Sequence, residues 1–166
     1  MKNYLFSLFL LSAITSCKSQ NIIDTIKKTD IIRLPEYYKE EGVIFSKDYV
    51  VGIDINNLQA RYTPSLNDII KTENIFSGHY NEVQKVSVDT KVFFNRWVRH
   101  YIGLIDKEGN KNIIVQLINN TSPRRVNKLL GRGWKSNFII MLSDSFYEIS
   151  TIFRINIDKE EMSTEL

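Results

Sequence analysis

The chain has 166 residues, which suits one domain, and its 43% hydrophobic and 25% charged residues are ordinary for a globular protein. The formal charge of +3 is too small to indicate nucleic-acid binding. A single cysteine, Cys17, excludes an intramolecular disulfide and a zinc site built from CxxC motifs, and two histidines make a histidine-rich metal centre unfavourable. We therefore expect no cofactor and no metal ion.

The N-terminus carries the pattern of a secretory signal. Lys2 supplies a positive charge, and residues 4–11 form an apolar run, YLFSLFLL, that is too short to span a membrane. Small polar residues then lead to Cys17. The pattern favours secretion over a spanning helix.

The residues before the cysteine, Ile14–Thr15–Ser16, resemble a lipobox, the signal of bacterial lipoproteins. The resemblance implies that the Cys17 thiol receives a diacylglyceryl group, that residues 1–16 are removed, and that the new amino terminus is acylated. One acyl chain binds a membrane only marginally, whereas several chains anchor stably. The alternative is an ordinary secretory signal with an unrelated cysteine. Loss of Lys2 without any acid would lower the formal charge from +3 to +2.

The residues that follow Cys17 bear on its destination. Lys18 stands where an aspartate would signal retention in the inner membrane, so the resemblance implies the outer membrane, facing the periplasm. Residues 24–26, Asp-Thr-Ile, resemble the O-glycosylation acceptor of Bacteroidetes lipoproteins. We interpret residues 17–30 as a polar, lipidated tether, partly helical where isoleucines share a face.

The first half of the folded part combines strands with one helix. Residues 31–35 and 42–55 are rich in β-branched and aromatic side chains and predict strands, with a turn at 46–48. A helix is predicted over 63–76, capped by Thr63 and stopped at 77–78. Its expected apolar stripe is Leu66, Ile69, Ile70 and Phe76.

The second half predicts two hairpins. The first joins apolar runs within residues 92–118 through Asp106–Asn110, where Gly109 suits a positive φ. The second covers 137–158 and turns at 143–145, and its last strand alternates as a half-buried strand does. Residues 159–166 form a charged tail that we expect to fray.

The predicted fold is one α+β domain over residues 31–158, with one main helix on a mostly antiparallel sheet. The order helix, hairpin, hairpin resembles the cystatin-like arrangement, in which a sheet wraps around a helix. Such a likeness of element order implies no particular function. Whether residues 31–55 join the main sheet stays open.

Several weak motifs have simpler structural explanations. The run GRGWKS at 131–136 lacks the glycine before lysine of a phosphate loop, and Asp106–Lys111 lacks the spacing of a calcium loop. His79 and His100 are far apart in sequence. The remaining candidates for acid–base chemistry are scattered carboxylates, Glu36, Glu40 and Glu41. We predict no catalytic residue.

The segment most suited to a contact is residues 122–135, which carries five positive charges and no acid. The candidate contact residues are Arg124, Arg125, Lys128, Arg132, Trp134 and Lys135. They can meet an acidic partner or the phosphates of a nearby membrane. Alternatively, the segment is a solvated connection whose leucines and tryptophan pack on the core. A second candidate is the hairpin side that bears Trp97, Arg99 and Tyr101, which is either a contact surface or a second buried face.

These observations favour a membrane-anchored envelope protein with a small non-enzymatic binding domain. One alternative is an inhibitor or immunity-type protein, which only the cystatin-like element order suggests. Another is a hydrolytic enzyme whose acid–base residues one sequence does not reveal. The expected partners are membrane lipid through Cys17 and a protein or other envelope component.

Overall fold

The strand Trp97–Asp106, in the middle of the chain, pairs with three other strands of the sheet. The computed structural model describes residues 28–34, 38–51 and 58–164. Within these ranges the sheet has seven strands: β1 Thr29–Ile32, β2 Gly42–Phe45, β3 Leu58–Tyr62, β4 Trp97–Asp106, β5 Lys111–Asn119, β6 Ser150–Asn156 and β7 Glu161–Ser163. The helices are α1 Leu66–Gln84, α2 Thr90–Phe93, α3 Pro123–Leu130 and α4 Asp144–Tyr147, with a 3₁₀ turn at Trp134–Ser136.

The sheet order is β1, β2, β4, β5, β6, β7, and β3 also pairs with β4. Strand β2 runs parallel to residues 99–102 of β4, and β3 runs antiparallel to residues 103–106, so both share one edge of β4. The other pairings among the described strands are antiparallel. The α+β class is confirmed, and the strands before residue 55 that the structure describes do join the main sheet. The sheet has more strands than the two predicted hairpins supply.

The first predicted hairpin is confirmed as β4–β5. Gly109 adopts a φ of +87°, the left-handed conformation that its turn requires. The carboxylate of Asp106 accepts a hydrogen bond from the backbone N–H of Asn110 at 2.7 Å, which closes the loop. Asp106 is therefore a turn residue in this loop.

The second predicted hairpin is wrong. Residues 138–142 form no strand, and Ser143 begins helix α4 by accepting a hydrogen bond from the N–H of Phe146 at 3.3 Å. Strand β6 pairs with β5 instead. The tail that we expected to fray contributes β7, which pairs with the end of β6. The predicted strand over 42–55 ends at Phe45, and its residues 52–55 lie outside the described ranges.

Helix α1 is longer than predicted and turns a different face inward. Ser65, not Thr63, is its N-cap, and the side chain and backbone of Ser65 exchange hydrogen bonds with Asp68 in a capping box. The helix continues through Gly78 and ends where Lys85 adopts a φ of 53°. Leu66 and Ile70 of the predicted stripe are exposed. The side chains that face the sheet are Ile69, Thr72, Glu73, Ile75 and Phe76.

Both faces of the sheet are covered at β4 and β5, which matches the buried-face alternative for the first predicted hairpin. The wet face was predicted for the last strand, and there Arg154 and Asn156 of β6 are half-buried. Alternate residues of a strand point to opposite faces, and seven consecutive residues, 98–104, are buried. The α1-side core includes Ile69, Phe76, Phe94, Tyr101, Ile113, Val115, Leu117, Phe153 and Ile155. The α3-side core includes Val98, Ile118, Val126, Leu130, Trp134, Phe146 and Ile149, and is continued on the same face by Val43, Phe45, Ile102, Leu104 and Ile114.

No helix in the described ranges combines the length and the apolar character that a membrane crossing needs. All members of the two cores lie between residues 34 and 157.

Candidate functional site

Helix α3 carries the predicted basic segment and presents its charges outward. Pro123 occupies the first turn, where a missing N–H costs nothing, and Gly131 ends the helix with a φ of +80°. Val126 and Leu130, one turn apart, are buried in the α3-side core. The opposite side of the helix is exposed and bears Arg124, Arg125 and Lys128.

Two of the five cations have acidic partners. Arg125 forms an ion pair with Glu148, and the ammonium of Lys135 lies 3.8 Å from a carboxylate oxygen of Glu40. The other three, Arg124, Lys128 and Arg132, are exposed and form no ion pair with any residue that the structure describes. We call these three residues the cationic face. Their positive charges can therefore interact with an anion outside the domain.

Trp134 does not belong to this surface. Its side chain is 3% exposed, and its indole N–H donates a hydrogen bond to Asn127 Oδ1 at 2.9 Å. The ring packs 6.2 Å from the ring of His100 in the interior. Trp134 therefore follows the alternative in which the tryptophan packs on the core, and it is not available as a contact residue.

An exposed apolar surface that the sequence did not indicate follows this segment. Leu142 is 89% exposed and Tyr147 is 60% exposed, and Ile140 and Met141 are also exposed. We call residues 140–142 and Tyr147 the apolar loop. A groove of about 480 Å³ separates part of it from the edge of β6. The groove is lined by Ile140, Leu142, Phe146, Tyr147, Ser150, Thr151, Ile152 and Thr164, none of which is charged.

A buried polar cluster joins α1 to β4 on the other side of the sheet. Arg99 Nε donates to Glu73 Oε2 at 3.1 Å, and the Tyr101 hydroxyl donates to Glu73 Oε1 at 2.7 Å. Arg99 Nη1 also donates to the carbonyl oxygen of Trp97 at 2.8 Å. The guanidinium carbon lies 3.5 Å from the centre of the Tyr38 ring. This is the hairpin side that the sequence offered either as a contact surface or as a buried face.

The cluster is sealed from solvent, which fixes its chemical role. Burial and the carboxylate of Glu73 hold the pKa of Tyr101 well above its usual value, so the phenol stays protonated. Burial alone would lower the pKa of Arg99, but Glu73 and neighbouring tyrosines raise it. Arg99 and Tyr101 have no exposed surface and Glu73 almost none. The arrangement locks a helix to a strand and offers no atom to a substrate.

The two histidines lie on opposite sides of the sheet. His79 is on α1, while His100 faces the α3-side core, where its Nδ1 is 3.3 Å from Gln116 Oε1. Burial lowers the pKa of His100 to about 4, so its ring is neutral at pH 7. The Phe45 and Phe138 rings pack near it. The structure therefore does not bring the histidines together.

The remaining candidate residues have structural partners or lie outside the described ranges. Glu40 accepts a hydrogen bond from Asn120 Nδ2 at 2.9 Å and forms an ion pair with Lys135. It therefore contacts the chain both before and after α3. Glu41 is exposed. Glu36 and Cys17 lie outside the described residues, so the lipidation of Cys17 stays a prediction.

Among the described residues, no group of three or more His, Cys, Asp and Glu side chains is placed to hold a metal ion. Comparison with models of protein families, with curated protein sequences and with solved structures finds no match for this chain.

Proposed function

We propose that this chain is a lipid-anchored envelope protein, attached through Cys17 and facing the periplasm from the outer membrane, whose domain binds an anionic envelope component. The anchor rests on the lipobox resemblance of Ile14–Cys17. The binding role rests on one observation: Arg124, Lys128 and Arg132 are exposed and form no ion pair with any described residue.

The expected strength of the electrostatic attraction between these cations and an anionic surface supports the binding role. Each lysine or arginine near an anionic surface contributes about 1 kcal/mol, so three unpaired cations contribute about 3 kcal/mol. Arg125 and Lys135 contribute less because Glu148 and Glu40 already neutralise them. The attraction acts over about 8 Å at physiological salt. An anchor that keeps the domain at the membrane would bring anionic groups within that range.

The burial of the polar groups favours a binding module over a hydrolytic enzyme. A general acid or base has to reach the proton that it transfers. The best-organised acid in the described part of the chain, Glu73, is buried and engaged by Arg99 and Tyr101. The neutral ring of His100 is enclosed by aromatic side chains.

The cystatin-like arrangement remains a proposal about the finer architecture. Helix α1 packs against β6 and β7 and shares the α1-side core with β4 and β5, as a wrapped helix would. The parallel pairing of β2 with β4 and the layer that contains α3 are additions to that plan. An inhibitor or immunity-type role follows only from this likeness, and an experimental structure with a bound partner would test it.

The anchor is tested by metabolic labelling with a palmitate analogue. We expect the wild type to be labelled and the Cys17→Ala variant to be unlabelled. Label retained by Cys17→Ala, or absent from the wild type, would remove the anchor from the proposal.

The binding role is tested by crosslinking the lipidated protein in its native envelope. We compare the wild type with a variant that carries Arg124→Glu, Lys128→Glu and Arg132→Glu. The crosslinked products should be lost in that variant. They should persist in a matched variant with Lys71→Glu, Lys85→Glu and Lys91→Glu, which has the same net charge. Equal losses in both variants would argue against a localised cationic face.

A further inference from the structure

The elements that cover the face of the sheet opposite α1, near β6, pack together in one layer. Helix α3, the 3₁₀ turn and α4 place apolar side chains in a common cluster: Val126, Leu130, Trp134, Phe146 and Ile149. On the outside, the Arg125–Glu148 ion pair joins α3 to the end of α4. The cationic face and the apolar loop are therefore outward parts of the same layer.

The charge on this layer is strongly one-sided. Residues 122–149 contain five cations and two acids, Asp144 and Glu148. Glu148 is paired with Arg125, so residues 122–149 contain one further acid, Asp144, against the three residues of the cationic face. Beside these charges, Leu142 is 89% exposed although water makes that exposure unfavourable. The layer thus combines cations that form no ion pair within the described part of the chain with an exposed apolar side chain.

We infer that this layer docks on an anionic, phosphate-bearing lipid surface, with the cationic face against lipid phosphates and Leu142 and Tyr147 in the boundary between headgroups and acyl chains. Cations beside leucine and aromatic side chains are the combination that binds membrane interfaces. The inference rests on the proposed function and names the anionic component that it left unnamed.

The groove behind the apolar loop favours lipid over an acidic peptide. Its lining contains no charged side chain, so carboxylates of a peptide would be desolvated there without a partner. The cations lie on the surface of α3 and on the turn after it rather than around the groove. Phosphates spread over a bilayer can meet such cations while acyl chains meet the apolar loop.

The length of the chain between the anchor and the domain permits this orientation. Lys28 follows Cys17 by eleven residues. An extended chain of that length spans at most about 40 Å. Helix α1, with 19 residues, is about 28 Å long. This upper limit exceeds the length of α1, so the proposed anchor at Cys17 is compatible with docking by the α3 layer.

The test uses residues 18–166 without lipid, after cooperative urea unfolding has shown that this fragment is folded. Co-sedimentation is measured with vesicles of phosphatidylglycerol and with vesicles of phosphatidylcholine. We expect binding to the anionic vesicles that weakens with salt, and little binding to the neutral ones. Since each cation contributes about fivefold, reversing all three of the cationic face should weaken binding about 100-fold or more.

Two comparisons separate lipid docking from simple charge attraction. Leu142→Ser leaves every charge in place and should weaken binding to anionic vesicles about tenfold. The variant with Lys71→Glu, Lys85→Glu and Lys91→Glu should bind almost as the wild type does. Unchanged binding by Leu142→Ser would overturn the inference while leaving the cationic face as an anion-binding surface.

A single-site probe gives a second, independent reading. The fragment contains no cysteine, so Leu142→Cys can carry a polarity-sensitive fluorophore at one defined place. Its emission should shift to the blue on anionic vesicles, whereas the same label at Val92→Cys, 65% exposed on α2 and on the other side of the sheet, should not shift. Equal behaviour of the two labels would overturn lipid docking by this layer.

The outcomes also distinguish this inference from the proposed function. If the fragment ignores vesicles but the lipidated protein crosslinks to a protein through the cationic face, the partner is a protein and the lipid inference fails alone. If neither vesicles nor the envelope capture the domain through this face, both fail.

Discussion

The two faces of the sheet are covered in opposite ways. Helix α1 covers one face with 19 residues, a capping box and a buried ion pair between Glu73 and Arg99. The other face is covered by the short helices α3 and α4, a 3₁₀ turn and irregular chain. The first covering buries a charged pair, whereas the second presents three exposed cations that form no ion pair with a described residue, together with Leu142, which is 89% exposed. Both layers bury an apolar core, so what distinguishes the second is its exposed cations and Leu142, to which we assign the proposed binding role.

We expect the largest loss of stability from a substitution at Glu73, in the α1 covering. Glu73→Ala leaves the guanidinium of Arg99 buried without its carboxylate, and removing one partner of a buried pair costs about 3–5 kcal/mol. Urea denaturation measures the loss in the free energy of unfolding. Glu82→Ala, an exposed position on the same helix, is the control and should change stability by less than about 0.5 kcal/mol. A small loss at Glu73 would mean that the cluster does not hold α1 to the sheet.

The second test concerns His100 beneath the α3 layer. Its folded pKa of about 4 lies below the unfolded value of 6.5, so the unfolded state binds the proton first as pH falls. Stability from the neutral ring is complete above pH 6.5 and is lost as pH decreases toward 4. The loss at pH 4 amounts to about 3 kcal/mol.

His100→Phe removes this titration while keeping an aromatic ring beside Phe45 and Phe138. Chemical denaturation at several pH values should therefore show that the stability difference between wild type and variant changes by about 3 kcal/mol between pH 7 and pH 4. Parallel curves for the two proteins would contradict a buried neutral histidine.

A smaller effect compares the caps of the two main helices. The Ser65 side chain accepts a hydrogen bond from the Asp68 N–H, whereas Ser122 makes no side-chain cap bond to α3. Ser65→Ala should cost about 1 kcal/mol, and Ser122→Ala less than about 0.5 kcal/mol. Thermal unfolding of the two variants checks the order. The reverse order would show that α3 depends on its first turn more than α1 does.

The smallest expected effect is at Leu142. Its side chain is 89% exposed, so Leu142→Ser should change the free energy of unfolding by less than about 0.5 kcal/mol. Phe146→Ala, a buried neighbour, should cost about 3–5 kcal/mol in the same denaturation assay. A large loss at Leu142 would assign the apolar loop to the core and remove it from the binding layer.

The sequence predicted those elements whose signals are local. The β4–β5 hairpin depends on a short loop with Gly109, and the start of α1 depends on polar residues next to a proline, so both were found to within a few residues. The inward face of α1 was missed because Glu73 is buried by a partner 26 residues away, Arg99. A local sequence pattern does not predict an ion pair between residues that are so far apart in the chain.

The candidate site was predicted in part. The exposed positions of Arg124, Lys128 and Arg132 were foreseen from charge alone, but the burial of Trp134 was not decided, since an indole serves equally in a core and in an interface. The apolar loop was missed because residues 138–142 have the composition of a strand. The serine at 143 signals a hairpin turn and a helix cap with the same side chain.

The parallel pairing of β2 with β4 also has a consequence for how the chain folds. The β4–β5 hairpin closes within a loop of a few residues, but β2 joins β4 across 57 positions, from Gly42 to Arg99. Closing a long loop loses chain entropy before the stabilising contacts between its ends can form, so distant pairings form slowly. We expect the hairpin to form the early nucleus and β1 and β2 to dock last. The strands that are synthesised before the hairpin would then be the last to find their place in the sheet.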